Sequence, residues 1–175
     1  TEPIKKALRL LAKYSNDRGG QIRLIDNKFD PTNFIYPAGS TNILLNGDIM
    51  LIHPWRLQNN VNLTGESGSA SVVQFGRGPK ASISMLDTDP DKAVLHLVAT
   101  DGVFKNFNIM YPPGIGIWID GWTEASGKYA VAQKEFRDVG VISADLPSSI
   151  PVLIEHAIWV YFYNCSFVCL SKAQY

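Results

Sequence analysis

Three hexapeptides in the last third of the chain share one pattern, and that pattern restricts the fold more than any other feature. Phe104-Lys105-Asn106-Phe107-Asn108-Ile109 recurs as Phe136-Arg137-Asp138-Val139-Gly140-Val141 and as Phe162-Tyr163-Asn164-Cys165-Ser166-Phe167. Each reads aromatic, any residue, Asn or Asp, apolar or Cys, small or polar, apolar. The copies are 32 and 26 residues apart. Between them run Gly114-Ile115-Gly116-Ile117-Trp118-Ile119, Tyr129-Ala130-Val131-Ala132, Ile150-Pro151-Val152-Leu153-Ile154-Glu155 and Ala157-Ile158-Trp159-Val160-Tyr161. Each interval therefore holds about three short strands joined by turns. Self-similarity at this period marks a stacked array, and a strand-only unit predicts a parallel β-helix. One coil of three short strands cannot bury its inward side chains alone. Stacking the next coil on it buries them and pairs the backbone between coils.

Alternation along each strand then sorts the side chains. Ile115, Ile117 and Ile119 share one face; Gly116, Trp118 and Asp120 share the other, which puts an aromatic and a carboxylate outside. Asn106, Asp138 and Asn164 fit a turn between strands, where a short polar side chain bonds nearby backbone and tolerates a left-handed conformation. In stacked coils these side chains form a ladder. Residues 3–15 read as an amphipathic helix, with Ile4, Ala7, Leu8, Leu11 and Ala12 on one face and Pro3 in the first turn. Arg18-Gly19-Gly20 ends it, and the alternating strand Gln21-Ile22-Arg23-Leu24-Ile25 follows. Such a helix covers the open edge of a first coil. Further strands are expected at Phe34-Ile35-Tyr36, Ile43-Leu44-Leu45, Ile49-Met50-Leu51-Ile52, Val72-Val73-Gln74-Phe75, Ile83-Ser84-Met85-Leu86 and Ala93-Val94-Leu95-His96-Leu97-Val98-Ala99. The organisation read from this is a capping helix and turn over residues 1–20 and an all-β parallel β-helix over residues 21–175. Nothing after Val168 reads as a cap, so the coils are expected to continue in a longer chain.

Composition narrows the partners. The chain has 175 residues, 46% of them hydrophobic and only 18% charged, which suits one globular domain. Sixteen basic residues balance 16 acidic ones, and the longest basic run is Lys5-Lys6, so no nucleic-acid footprint is present. Residues 150–170 are largely apolar, but Pro151, Glu155, His156 and Asn164 and the β-branched content favour buried strands over a bilayer helix. Cys165 and Cys169 are four strand positions apart, ~13 Å, too far for a disulfide, and read as buried thiols. The N-terminus does not read as a secretory signal.

Ala7-Leu8, Gly19-Gly20-Gln21-Ile22-Arg23-Leu24 and Phe29 resemble the opening of pectate-lyase-like right-handed β-helix proteins. Val61-Asn62-Leu63-Thr64-Gly65 resembles that family's next strand and glycine turn, and Asp101-Gly102-Val103 with the two flanking hexapeptides at Phe104 and Phe162 resembles its repeated rung. Within the superfamily, the helix-capped first coil looks most like phage tailspikes and tail-fibre depolymerases. The resemblance implies a right-handed parallel β-helix with an N-terminal capping α-helix, in a homotrimeric virion tail protein that binds bacterial surface polysaccharide and often cleaves it. A non-catalytic virion or adhesion β-helix and a free, secreted polysaccharide lyase or glycoside hydrolase are the alternatives. The polygalacturonase signatures Asn-Thr-Asp, Asp-Asp, Gly-His-Gly and Arg-x-Lys are missing; only Asn46-Gly47-Asp48 approaches the first.

Other motifs fail on their own chemistry. Gly65-Glu66-Ser67-Gly68-Ser69 lacks the final glycine of a nucleophile elbow. Asp87-Thr88-Asp89-Pro90-Asp91 begins like a calcium loop but has Lys92 at position six and Val98 at position twelve. His53, His96 and His156 show no metal-ligand spacing, so neither a metal nor another cofactor is expected. A surface suited to sugar remains. Trp118, Trp122 and Tyr129 supply aromatic faces for sugar rings. Asp120, Glu124 and Glu155 supply carboxylates, which bond hydroxyls or, in pairs ~5–9.5 Å apart, carry acid–base cleavage of a glycosidic bond. Residues 121–128 are the longest insert of the regular coils, and Glu155, one coil on, falls on the same outer face as Asp120.

Overall fold

The computed structural model describes residues 20–25, 28–33, 41–57, 61–67, 81–98, 101–123, 128–129, 133–143 and 149–169. The expected capping helix over residues 3–15, and the strands expected at Phe34-Ile35-Tyr36 and Val72-Val73-Gln74-Phe75, lie outside them. Within the described residues the structure is all-β, apart from one 3-10 turn at Pro31–Asn33.

Three parallel sheets form the body, and the chain visits them in a fixed order. The first contains β1 (Gly20–Ile25), β3 (Thr41–Asn46), β6 (Val61–Ser67), β9 (Gly102–Lys105), β14 (Lys134–Arg137) and β17 (Val160–Tyr163). The second contains β2 (Lys28–Phe29), β4 (Asp48–Leu51), β7 (Ala81–Met85), β10 (Phe107–Met110), β15 (Gly140–Ser143) and β18 (Ser166–Cys169). The third contains β5 (Trp55–Leu57), β8 (Ala93–Val98), β11 (Ile115–Asp120) and β16 (Ile150–Glu155). A small antiparallel pair, β12 (Trp122–Thr123) and β13 (Lys128–Tyr129), interrupts the sequence after β11. Every strand of the three sheets pairs in parallel with its counterpart from the next round.

Register carries the buried residues from round to round. Ile22, Ile43, Leu63, Phe104, Phe136 and Phe162 form one continuous row in the first sheet. Ile49, Ile83, Ile109, Val141 and Phe167 form a row in the second. Leu57, Leu97, Ile119 and Ile154 do so in the third. Their buried members join one hydrophobic cluster. The three repeated phenylalanines stack with centroids 5.0 and 4.9 Å apart and planes within 19°. Trp55 in β5, a strand the sequence did not announce, is fully buried and packs edge-on against Phe29 at 5.0 Å. Three residues after a His-Pro turn are too few to show a period.

The repeated Asn/Asp positions are the corner between the first and second sheets. Asn106, Asp138 and Asn164 have φ of 61°, 54° and 54°, and Gly47 at the equivalent corner has 96°. Among L-residues, Asn and Asp are the ones that enter this region most readily, because the short side chain bonds locally. Here it does. Asn106 Nδ2 donates to Gly65 O at 2.7 Å, and Asn164 Nδ2 donates to Asp138 Oδ1. The corner backbone is paired as well, Asn106 N–H to Arg137 O and Asp138 N–H to Tyr163 O, both at 3.0 Å. Gly65 is glycine because a Cβ there would strike Asn106 O.

The last round is the least covered. Ile154 and Phe167 continue buried rows yet are 46% and 41% exposed. The same position corrects the reading of the thiols: Cys165 is half-buried and Cys169 exposed, because no further described strand lies over them. Phe136 tests the row. It is fully buried between two aromatic rings, so Phe136→Ala should cost about 3–5 kcal/mol in denaturant unfolding. A loss below about 1 kcal/mol would mean that the stack does not hold the rounds together.

Candidate functional site

The outer face of the third sheet gathers polar side chains from four rounds. In β11 alternation buries Ile117 and Ile119 completely and turns Trp118 and Asp120 outward. Register sets Trp118 between His96 and Leu153, and Asp120 between Val98 and Glu155. Arg56 stands opposite His96 on the far side. His156 follows Glu155 directly, at a corner where its φ is 52°. One round earlier this corner is Gly121, whose N–H donates to Glu155 O at 3.0 Å. A Cβ at that position would strike His156 O.

These groups bond one another. The His96 and Trp118 rings stack at 4.2 Å with 9° between planes. Trp118 Nε1–H donates to Glu155 Oε2 at 2.9 Å. Asp120 lies between two imidazoles, its Oδ2 3.7 Å from His96 Nε2 and its Oδ1 3.5 Å from His156 Nδ1. Burial foremost, and then the Arg56 charge, push the His96 pKa below its ordinary value against the pull of Asp120. An imidazole held at Nδ1 by a carboxylate is oriented for proton transfer at its other nitrogen, and a second carboxylate one strand away gives the face two acid–base arms.

Three of the six residues singled out from the sequence therefore meet here: Trp118, Asp120 and Glu155. One face of the Trp118 indole is occupied by His96. Trp122 and Tyr129 are register partners in the β12–β13 pair, which leaves the sheet directly after Asp120 and Gly121. Glu124 lies outside the described residues. His96, His156 and Arg56 were missed. Alternation in Ala93-Val94-Leu95-His96-Leu97-Val98 does place His96 outward, whereas nothing periodic marks His156.

A buried cation lies behind this face. Lys134 starts β14 on the buried side and is fully covered. Burial lowers its pKa to about 8, opposed by the nearby carboxylates of Asp101 and Asp120. The Asp87 loop carries its own cation too: Lys92 Nζ sits 3.0 Å from Asp87 Oδ2 and 3.2 Å from Asp89 Oδ2. Among the described residues no group of three or more His, Cys, Asp or Glu is placed to hold a metal ion. No family model, curated protein or solved structure matches the chain.

Lys134 makes stability pH-dependent in a stated direction. Between its folded pKa of about 8 and its unfolded value of 10.5, the unfolded chain holds the proton and the folded chain has released it. Stability should therefore rise as pH increases through that window, by on the order of 3 kcal/mol. Lys134→Met should remove this rise. Urea unfolding of both proteins from pH 7 to 10.5 checks it, and parallel profiles would refute it.

Proposed function

We propose that the three sheets are the walls of a right-handed parallel β-helix of the phage tailspike kind. In this reading the protein is a homotrimeric virion tail component that binds bacterial surface polysaccharide and cleaves it. The observation that carries the cleavage is the pairing of Asp120 with Glu155 on adjacent rounds, with Asp120 set between two imidazoles. Neighbouring strands lie about 4.8 Å apart, which suits two carboxylates acting across one glycosidic bond. Asp120 orients His156 for proton transfer, and Glu155 is the second arm. Catalytic groups on the outside of a rigid sheet are well fixed, because neighbouring strands hold their backbone on both sides.

One observation favours a purely adhesive β-helix instead. Trp118 already gives its N–H to Glu155 and one ring face to His96, as a group with only a structural role would.

Incubating the protein with bacterial capsule and O-antigen polysaccharides separates the two. Shorter chains by size exclusion are expected. Ultraviolet absorbance of an unsaturated product would identify a lyase, and its absence a hydrolase. Asp120→Asn and Glu155→Gln should each lower the rate by at least about 100-fold while the polysaccharide is still bound. Binding without shortening in the parent protein would leave adhesion as the function.

A further inference from the structure

One atom of the third-sheet cluster is buried with nothing to bond. Among the described residues His96 Nε2 has no hydrogen-bond partner. Asp120 Oδ2 faces it at 3.7 Å, beyond hydrogen-bond range. A buried polar atom in this condition costs free energy and calls for a physical reason. A neutral imidazole carries a proton on one nitrogen and a lone pair on the other. A lone pair at Nε2 repels the carboxylate, which accounts for the gap. Thr41 Oγ1 and Ser143 Oγ are buried in the same way, but a hydroxyl takes up no proton near neutral pH. An imidazole does.

Charged groups reach this pair from every neighbouring strand. Arg56 on β5 is the register partner of His96 on one side. On the other side β11 supplies Trp118, whose ring covers the imidazole, and Asp120. Glu155 on β16 accepts the Trp118 N–H. His156, at the corner after β16, faces the second oxygen of Asp120. Lys134, buried behind the face, feels the Asp120 charge as well. Burial and Arg56 disfavour a proton on His96, while Asp120 and Glu155 favour one.

We propose that His96 and Asp120 form an acid-operated clasp between adjacent rounds: a proton taken up at His96 Nε2 closes the gap, and the new N–H donates to Asp120 Oδ2. One proton comes from water, and no bond between heavy atoms changes. Asp120 has a separate oxygen for each imidazole, Oδ2 for His96 and Oδ1 for His156. The closed clasp therefore ties β8 to β11 while β11 still faces the corner after β16. An imidazolium also gains from the indole against which it is stacked, at 4.2 Å. The His96 side chain is 20% exposed, so the proton arrives without unfolding. Where this face cleaves a glycan, as proposed above, a clasped Asp120 is withdrawn from the reaction. The clasp itself needs no glycan and stands whether or not that reading does.

The test is nitrogen-15 NMR of the histidine side chains in the intact protein, titrated from about pH 8 to about pH 4. Comparison with His96→Gln assigns the His96 signals. At the alkaline end His96 should carry its proton on Nδ1. Acid should add the second proton at Nε2, with a midpoint below the ordinary histidine value. Asp120→Asn keeps the shape of the side chain and removes its charge, and should lower that midpoint by about one pH unit or more. His156→Asn suits the left-handed corner and removes the second imidazole, so the His96 midpoint should rise. A proton already on Nε2 at the alkaline end would overturn the inference. So would a His96 midpoint that stays at the parent value in Asp120→Asn, or one that does not rise in His156→Asn.

Discussion

Parallel pairing from round to round is the constraint on which everything else depends. A short strand has no partner in its own round, so its backbone groups are satisfied only by the strand before and the strand after. That pairing fixes register, and register decides which side chains are buried. A slip of one residue would turn Phe104, Phe136 and Phe162 outward and bring Lys105 and Arg137 in. The phenylalanine row and the backbone ladder therefore support the same alignment.

The corners let this alignment survive large differences in length. Successive rounds of the first sheet are separated by 21, 20, 41, 32 and 26 residues, yet the strands still meet in register. Extra residues leave at corners and return without disturbing the ladder. The corner between the first and second sheets is held tightest, by left-handed residues whose side chains bond the neighbouring round. The corner after the third sheet is where the β12–β13 pair leaves. It is also where His156 and Trp159 hold positive φ, so conformational strain collects beside the polar cluster.

The sequence was most legible where repetition and burial coincide. The hexapeptide repeat carried the Phe row, the Asn/Asp corner and the spacing of the last rounds, because all three answer to packing that recurs in every round. Alternation in β11 carried the outward placement of Trp118 and Asp120 and, with the spacing, the pairing of Asp120 with Glu155. What stayed hidden depends on register across rounds of unequal length. His96 and Trp118 are 22 positions apart and Trp118 and Glu155 are 37 apart, and no local pattern encodes either contact. A cavity on the outer face of the first sheet likewise draws Asn62, Asp101 and Glu135 from three rounds, where polar residues follow no period.

Lys134 is a buried charge near the polar cluster of the third sheet. It starts β14 at the corner between the third and first sheets, and the carboxylates that act on it are Asp101, at the corner that leads into β9, and Asp120, beside the histidines. An apolar residue at that position would not carry the desolvation that lowers the lysine pKa. Keeping a cation there carries a desolvation cost that the Asp101 and Asp120 charges offset only in part.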